Sequence, residues 1–104
     1  MRILVCPQEF KGSLTAPEAA RAISDGIRRE MPDAEIIEAP TADGGPGTVA
    51  LVHATSGGEL IDGRWRGPLG EAVDAAYALL PDGSAVIEAA TVAGLVLVPE
   101  ADRD

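Results

Sequence analysis

The chain has 104 residues, enough for one domain of modest size, and its 46% hydrophobic and 24% charged residues match a soluble globular protein. Eight basic residues against seventeen acidic ones leave a net charge of −9. That balance argues against non-specific binding to nucleic acid or to an anionic membrane surface, and leaves room only for a local cationic site.

Aromatic residues are 3% of the chain, so a core has to be built from Ala, Val, Ile and Leu. No apolar stretch has the length of a bilayer span, and "MRILVC" is too short for the apolar region of a signal peptide. A single cysteine excludes an internal disulfide, and the cytoplasm is the expected compartment.

In chain order, "RILVC" (2–6) is a short apolar run without alternation, which predicts a strand buried on both faces of a parallel sheet. "PQEFKGSL" (7–14) follows as a loop and carries the only lysine and the only phenylalanine. Thr15, Pro17 and Glu18 predict a helix start with a capping box. Ala16, Ala19, Ala20, Ile23, Ile27 and Met31 continue at helical spacing, and Pro32 ends the helix. Gly26 inside it costs about 1 kcal/mol relative to Ala, which predicts close packing against the sheet there.

"AEIIEA" (34–39) predicts a second strand, "PTADGGPGT" (40–48) a glycine-rich loop, and "TVALVHAT" (48–55) a second helix stopped by Gly57 and Gly58. Strand, glycine loop and helix thus occur twice. Parallel strands joined by a helix send both following loops out on the same side, at the strands' carboxyl ends, so loops 7–14 and 40–47 are expected to face one crevice.

"GELIDGRWRG" (58–67) is polar for a strand but alternates, and "GPLG" (67–70) is a turn. "EAVDAAYALL" (71–80) alternates toward "PDG", predicting a strand that enters a hairpin, with "SAVIEAA" (84–90) as its partner. "GLVLVP" (94–99) is a further apolar run. Residues 1–66 hold seven basic and ten acidic residues, whereas residues 67–104 hold one and seven. The expected organisation is a Rossmann-like α/β portion over 1–66 and the start of a second, β-rich portion over 67–104.

Loop 7–14 sets Lys11, Gly12 and Ser13 just before a helix N-terminus. Backbone N–H groups, the helix dipole and an ammonium can converge there on a phosphate or carboxylate. A solvated turn lysine is the plain alternative. In the second loop Asp43 stands among Gly44, Gly45 and Gly47. A carboxylate at a strand tip can hold Mg2+ or act as a base toward a hydroxyl, or it can form an Asx turn that starts a helix. Lys11 and Asp43 facing one crevice would supply the cation and the carboxylate that phosphoryl transfer needs.

Glu88 is an acid inside an apolar strand, either reaching solvent at an edge or serving a site. His53 reads as a helix-surface residue, Cys6 as a small buried hydrophobe, and Trp65 as a surface residue with a cation–π contact to its arginine neighbours. Neither a Walker A pattern nor GxGxxG occurs.

These segments together resemble the bacterial glycerate kinase family. "ILVCPQEFKGSLTAPEAARAISDGI", "ADGGPGT", "GPLGEAVDAAYALL", "AVIEAATVAGLVLVP" and "ADRD" are similar, in the same order, to that family's "APDSFKGSLSA", "ADGGEGT", "GPLG" and "IEMA…GL.L" segments. The resemblance runs along essentially the whole chain, and "FKGSL" with "ADGG" at this separation is its most specific part. It implies a two-domain α/β kinase that moves the ATP γ-phosphoryl group to D-glycerate with Mg2+. Carried over, Lys11, Gly12 and Ser13 match the first motif, and Asp43, Gly44, Gly45, Gly47 and Thr48 match the second. Glu88 matches the acid of the third.

The roles expected on that basis are Lys11 and Ser13 as anion clamp, Asp43 as base or metal carboxylate, and Glu88 as a supporting carboxylate. Gln8, Glu9 and Pro46 depart from the family pattern, which has Asp, Ser and Glu there. Gln8 cannot ionise, and Pro46 removes a backbone donor. Family members are several times longer, so the chain resembles an N-terminal fragment, inactive alone, whose uncovered sheet edges favour self-association. The competing expectation is a non-catalytic α/β module that keeps an anion-binding crevice.

Overall fold

The computed structural model describes residues 1–103 and is a mixed α/β structure. The chain divides into two compact units, Met1–Asp43 and the residues from Gly44 onward.

The first unit is β1 (Arg2–Val5), α1 (Ala16–Glu30) and β2 (Glu35–Glu38). The strands pair in parallel, with Arg2 opposite Glu35, Ile3 opposite Ile36, Leu4 opposite Ile37 and Val5 opposite Glu38. The capping box forms as the sequence predicts. The Thr15 hydroxyl accepts from the Glu18 N–H at 3.3 Å, and the Glu18 carboxylate accepts from the Thr15 N–H at 3.4 Å. Arg28 and Arg29 in the last turn suit the negative end of the helix dipole.

The buried stripe of α1 differs from the predicted one. Ala16, Ala19, Ala20 and Ser24 are buried, whereas Ile23 and Met31 are exposed. Small residues at the centre of the stripe let the helix lie close to the sheet, and the branched residues fall at its margin. Gly26 is exposed and a Cβ there would meet nothing within 4 Å, so it marks no close contact.

Ser24 is fully buried and its hydroxyl has no hydrogen-bond partner among the described residues. An unsatisfied buried hydroxyl costs about 1–3 kcal/mol. Ser24→Ala is therefore expected to raise the urea midpoint by an amount worth about 1 kcal/mol, and a drop in the midpoint would count against this account of the helix–sheet contact.

The expectation that β1 is buried on both faces is corrected. Val5 is buried, but Leu4 is 62% exposed and its partner Ile37 is 42% exposed. Successive strand residues point to opposite faces, and α1 covers only the Ile3 and Val5 side. Cys6 is exposed as well, so it is not the buried hydrophobe its neighbours suggest.

The second unit begins with α2 (Thr48–Ser56), followed by β3 (Glu59–Arg66), β4 (Ala72–Leu79), β5 (Ala85–Val86) and α3 (Ala89–Ala93). Two 3-10 turns, Leu95–Leu97 and Glu100–Asp102, complete it. β3, β4 and β5 form an antiparallel sheet in that order. The β3–β4 ladder runs from Glu59 opposite Leu79 to Arg66 opposite Ala72. Gly67–Gly70 is thus a hairpin turn inside one unit, and the division of the chain lies between Asp43 and Gly44 rather than at 66/67.

The predicted partner strand over 84–90 shortens to Ala85–Val86, because Glu88 caps α3 and the chain turns into that helix. The apolar run after it is a 3-10 turn with Leu95 and Val96 exposed. Trp65 meets the edge of Tyr77 at 6.3 Å between ring centroids and donates its indole N–H to the Ala75 carbonyl. Arg64 instead pairs with Asp74 at 3.0 Å, which also raises the Arg64 pKa.

Candidate active site

The first loop is a tight turn. The Phe10 N–H donates to the Leu14 carbonyl at 2.8 Å, while the N–H groups of Ser13 and Leu14 donate back to the Phe10 carbonyl at 2.8 and 3.1 Å. Lys11 and Gly12 form its tip, with Gly12 at φ +74, a left-handed conformation that favours glycine. Lys11 is exposed and makes no ion pair with any described residue. Its neighbour Phe10 is half exposed. Of the backbone donors expected to meet an anion here, the Ser13 N–H is already used inside the turn.

The second loop continues the parallel pairing before it departs. The Ala39 N–H donates to the Val5 carbonyl at 2.8 Å. Thr41 then donates both its N–H, at 3.0 Å, and its hydroxyl, at 3.3 Å, to the Pro7 carbonyl. The segments after β1 and β2 therefore leave the carboxyl end of the sheet side by side, as the parallel reading requires. Thr41 is the residue that fastens them, and nothing in its sequence context marks it. Asp43 follows two positions later and is exposed.

Gly44 and Gly47 both have φ near +90. Residues 45–48 make a turn closed by the Thr48 N–H and hydroxyl on the Gly45 carbonyl, at 3.2 and 2.7 Å. Pro46 stands at its second position, and Gly47, at φ 90 and ψ −6, has the third-position geometry of a type II turn. The departure at Pro46 thus has a local reason: proline pre-sets the backbone of this turn.

Glu88 is 4% exposed. Its two carboxylate oxygens accept from the N–H groups of Gly47, at 3.2 Å, and Val49, at 3.1 Å. Within the second unit the structure therefore joins Glu88 to the glycine loop from which α2 starts. Of the two sequence alternatives, burial rules out the strand-edge residue that reaches solvent. The acid in an apolar run was the visible signal, but partners 41 and 39 residues away were not. His53 Nε2 lies 3.3 Å from the Gly58 carbonyl oxygen, at the far end of α2.

An open cavity of about 550 Å3 lies beside Trp65 and Tyr77, with Ile87 and Val92 in its wall, and Glu88 does not line it. No group of three or more His, Cys, Asp and Glu side chains among the described residues could hold a metal ion. No helix among them is long and apolar enough to cross a membrane.

Residues 3–104 match the model of the glycerate kinase family. The chain belongs to the glycerate kinase family. It is 47% identical over 107 residues to the glycerate 2-kinase of Escherichia coli K12, a match that covers all of the chain and 28% of that relative. It is also 47% identical over 106 residues to the glycerate kinase of Bacillus subtilis 168, again covering all of the chain and 28% of the relative. The crystal structure of a protein named glycerate kinase 2 from Salmonella typhimurium LT2 superposes with a TM-score of 0.75 at 44% identity, covering all of the chain and 28% of that protein. The chain thus spans just over a quarter of the length of these relatives and corresponds to their N-terminal portion.

Proposed function

We propose that this chain is the N-terminal part of an ATP-dependent glycerate kinase, in which it contributes the strand ends where Lys11 and Asp43 meet substrate. The observation that carries the reading is the Thr41 latch on Pro7, because it sends the two loops out from one end of the sheet. Family membership supplies the reaction class.

In this reading a glycerate hydroxyl oxygen forms a bond to the γ-phosphorus of ATP as the bond from that phosphorus to the β-bridging oxygen breaks and ADP leaves. Lys11 at the turn tip draws in negative charge, and the Ser13 hydroxyl adds a neutral donor. Asp43 accepts the hydroxyl proton or holds the metal. Mg2+ takes one or two carboxylates and fills its remaining positions with water and substrate phosphates, so a lone Asp43 is an adequate protein donor for it. When bound, the ion would neutralise phosphate charge. Gly44, Gly45, Gly47 and Thr48 shape the loop behind Asp43.

The test is a chimera in which this chain replaces the matching segment of the Escherichia coli glycerate 2-kinase. Glycerate-dependent ADP release is expected in a coupled assay with ATP and Mg2+. A folded chimera without turnover would rule the kinase reading out in favour of a non-catalytic module. The 104-residue chain alone is expected to be inactive. It should also scatter light as an associating species through the Leu4–Ile37 face and the open strand edges.

The clamp has its own measurement. Titration of the labelled chain with inorganic phosphate should shift the Gly12 amide, and Lys11→Ala should abolish the shift. Because an exposed ammonium acts by charge, added salt should weaken the response over a Debye length of about 8–10 Å. An unchanged titration in the alanine variant would make Lys11 a solvated turn residue.

A further inference from the structure

Helix α2 starts at Gly47, which has no side chain to satisfy the first N–H groups of the helix. Such a terminus carries roughly half a positive charge and is a ready anion site, which is why this loop invites a phosphate. Three of its first four donors are nevertheless in use. The Gly47 N–H goes to Glu88 Oε1, the Val49 N–H to Glu88 Oε2, and the Thr48 N–H to the Gly45 carbonyl.

Glu88 is itself held from behind. Its carbonyl accepts from the Thr91 hydroxyl at 2.7 Å and from the Thr91 N–H at 3.2 Å, where α3 begins. Its backbone thus starts one helix while its side chain caps another. A buried carboxylate in that position opposes any further anion by charge and occupies the Gly47 and Val49 donors an anion would need.

We infer that Glu88 is a positioning residue, the resident carboxylate that closes the N-terminus of α2 to external oxyanions and fixes Gly44–Thr48. A phosphate handled by this chain is then met at the Lys11 turn and not at the second helix terminus. This deepens the kinase reading and rests on it only for that consequence.

The experiment follows the backbone amides of the labelled 104-residue chain by NMR, at constant ionic strength. Inorganic phosphate should leave Gly47 and Val49 unmoved in the native chain. In Glu88→Gln, which keeps the shape but loses the charge, both amide protons should move upfield as their bonds become neutral. In Glu88→Ala, acetate should replace the missing carboxylate: both amides should shift saturably and the thermal midpoint should rise with acetate, but not with chloride. A merely space-filling Glu88 would give no such acetate rescue.

Saturable phosphate shifts at Gly47 and Val49 in the native chain would overturn the inference. So would unmoved amides in Glu88→Gln, which decides the matter if Glu88→Ala does not fold. Failure of phosphate to move Gly12 bears on the Lys11 clamp alone and leaves this inference standing.

Discussion

Gly58→Ala is expected to unfold much of the second unit, whereas Gly57→Ala one position earlier should cost only the strain of its own backbone. Both glycines are left-handed, at φ +88 and +75. A side chain forced to positive φ costs about 1–3 kcal/mol, and Gly57, at ψ −153, lies where glycine is nearly alone, so strain alone penalises both variants. Their surroundings differ. A Cβ on Gly57 would meet nothing within 4 Å. A Cβ on Gly58 would run into the Leu79 carbonyl oxygen and lie 3.0 Å from the Leu79 carbonyl carbon and Leu80 Cα.

These are backbone atoms of the neighbouring strand and its exit, and they have no rotamer by which to give way. Relief requires the start of β3 to leave β4, breaking the pairing of Glu59 with Leu79 and of Leu60 with Ala78, and Ala78 is fully buried. The Gly58 variant should therefore lose well over about 3 kcal/mol, a large share of the ~5–15 kcal/mol that holds a domain. Urea unfolding followed by the fluorescence of Trp65, the only tryptophan, measures both variants. Equal losses would show that backbone strain, not the strand contact, sets the effect.

Much of this architecture was legible because local rules and the fold agree. The capping box at Thr15 and Glu18 and the hairpin from β4 into β5 follow from residues a few positions apart, and the parallel order of β1 and β2 follows from the strand–loop–helix rhythm. What escaped the sequence depends on distant partners. An apolar run such as "RILV" says that a strand suits burial, but not whether a second layer lies over Leu4 and Ile37. Gly26 looks like a packing device and is an exposed helix residue.

The candidate site divides in the same way. The loops that hold Lys11 and Asp43 were readable from strand–loop–helix order. Thr41 was not, because a threonine that bonds Pro7 from 34 positions away resembles any loop threonine. Glu88 stood out as an acid among apolar residues, yet only the fold shows that its carboxylate faces a helix terminus. The family motif identified the position, and the hydrogen bonds give it a physical task.

The largest functional effect is expected from Asp43→Ala in the chimera. General acid–base assistance is worth about 10²–10⁴ in rate, and a carboxylate that holds the metal of a phosphoryl transfer is no less needed. Asp43 is exposed beyond the Thr41 latch, so its removal exposes no core and the variant should still fold, which its thermal midpoint checks. A fall in kcat of about 10²–10⁴ without loss of fold would then report chemistry. The two roles open to Asp43 separate by the response to Mg2+. If the carboxylate holds the metal, the variant should need more Mg2+ for half-maximal rate and recover part of its activity as Mg2+ is raised. If it takes the hydroxyl proton, excess Mg2+ should restore nothing, and the loss should appear in kcat with the KM for glycerate little changed. A variant that keeps native kcat would remove Asp43 from the reaction under either role and leave the second loop as a structural turn.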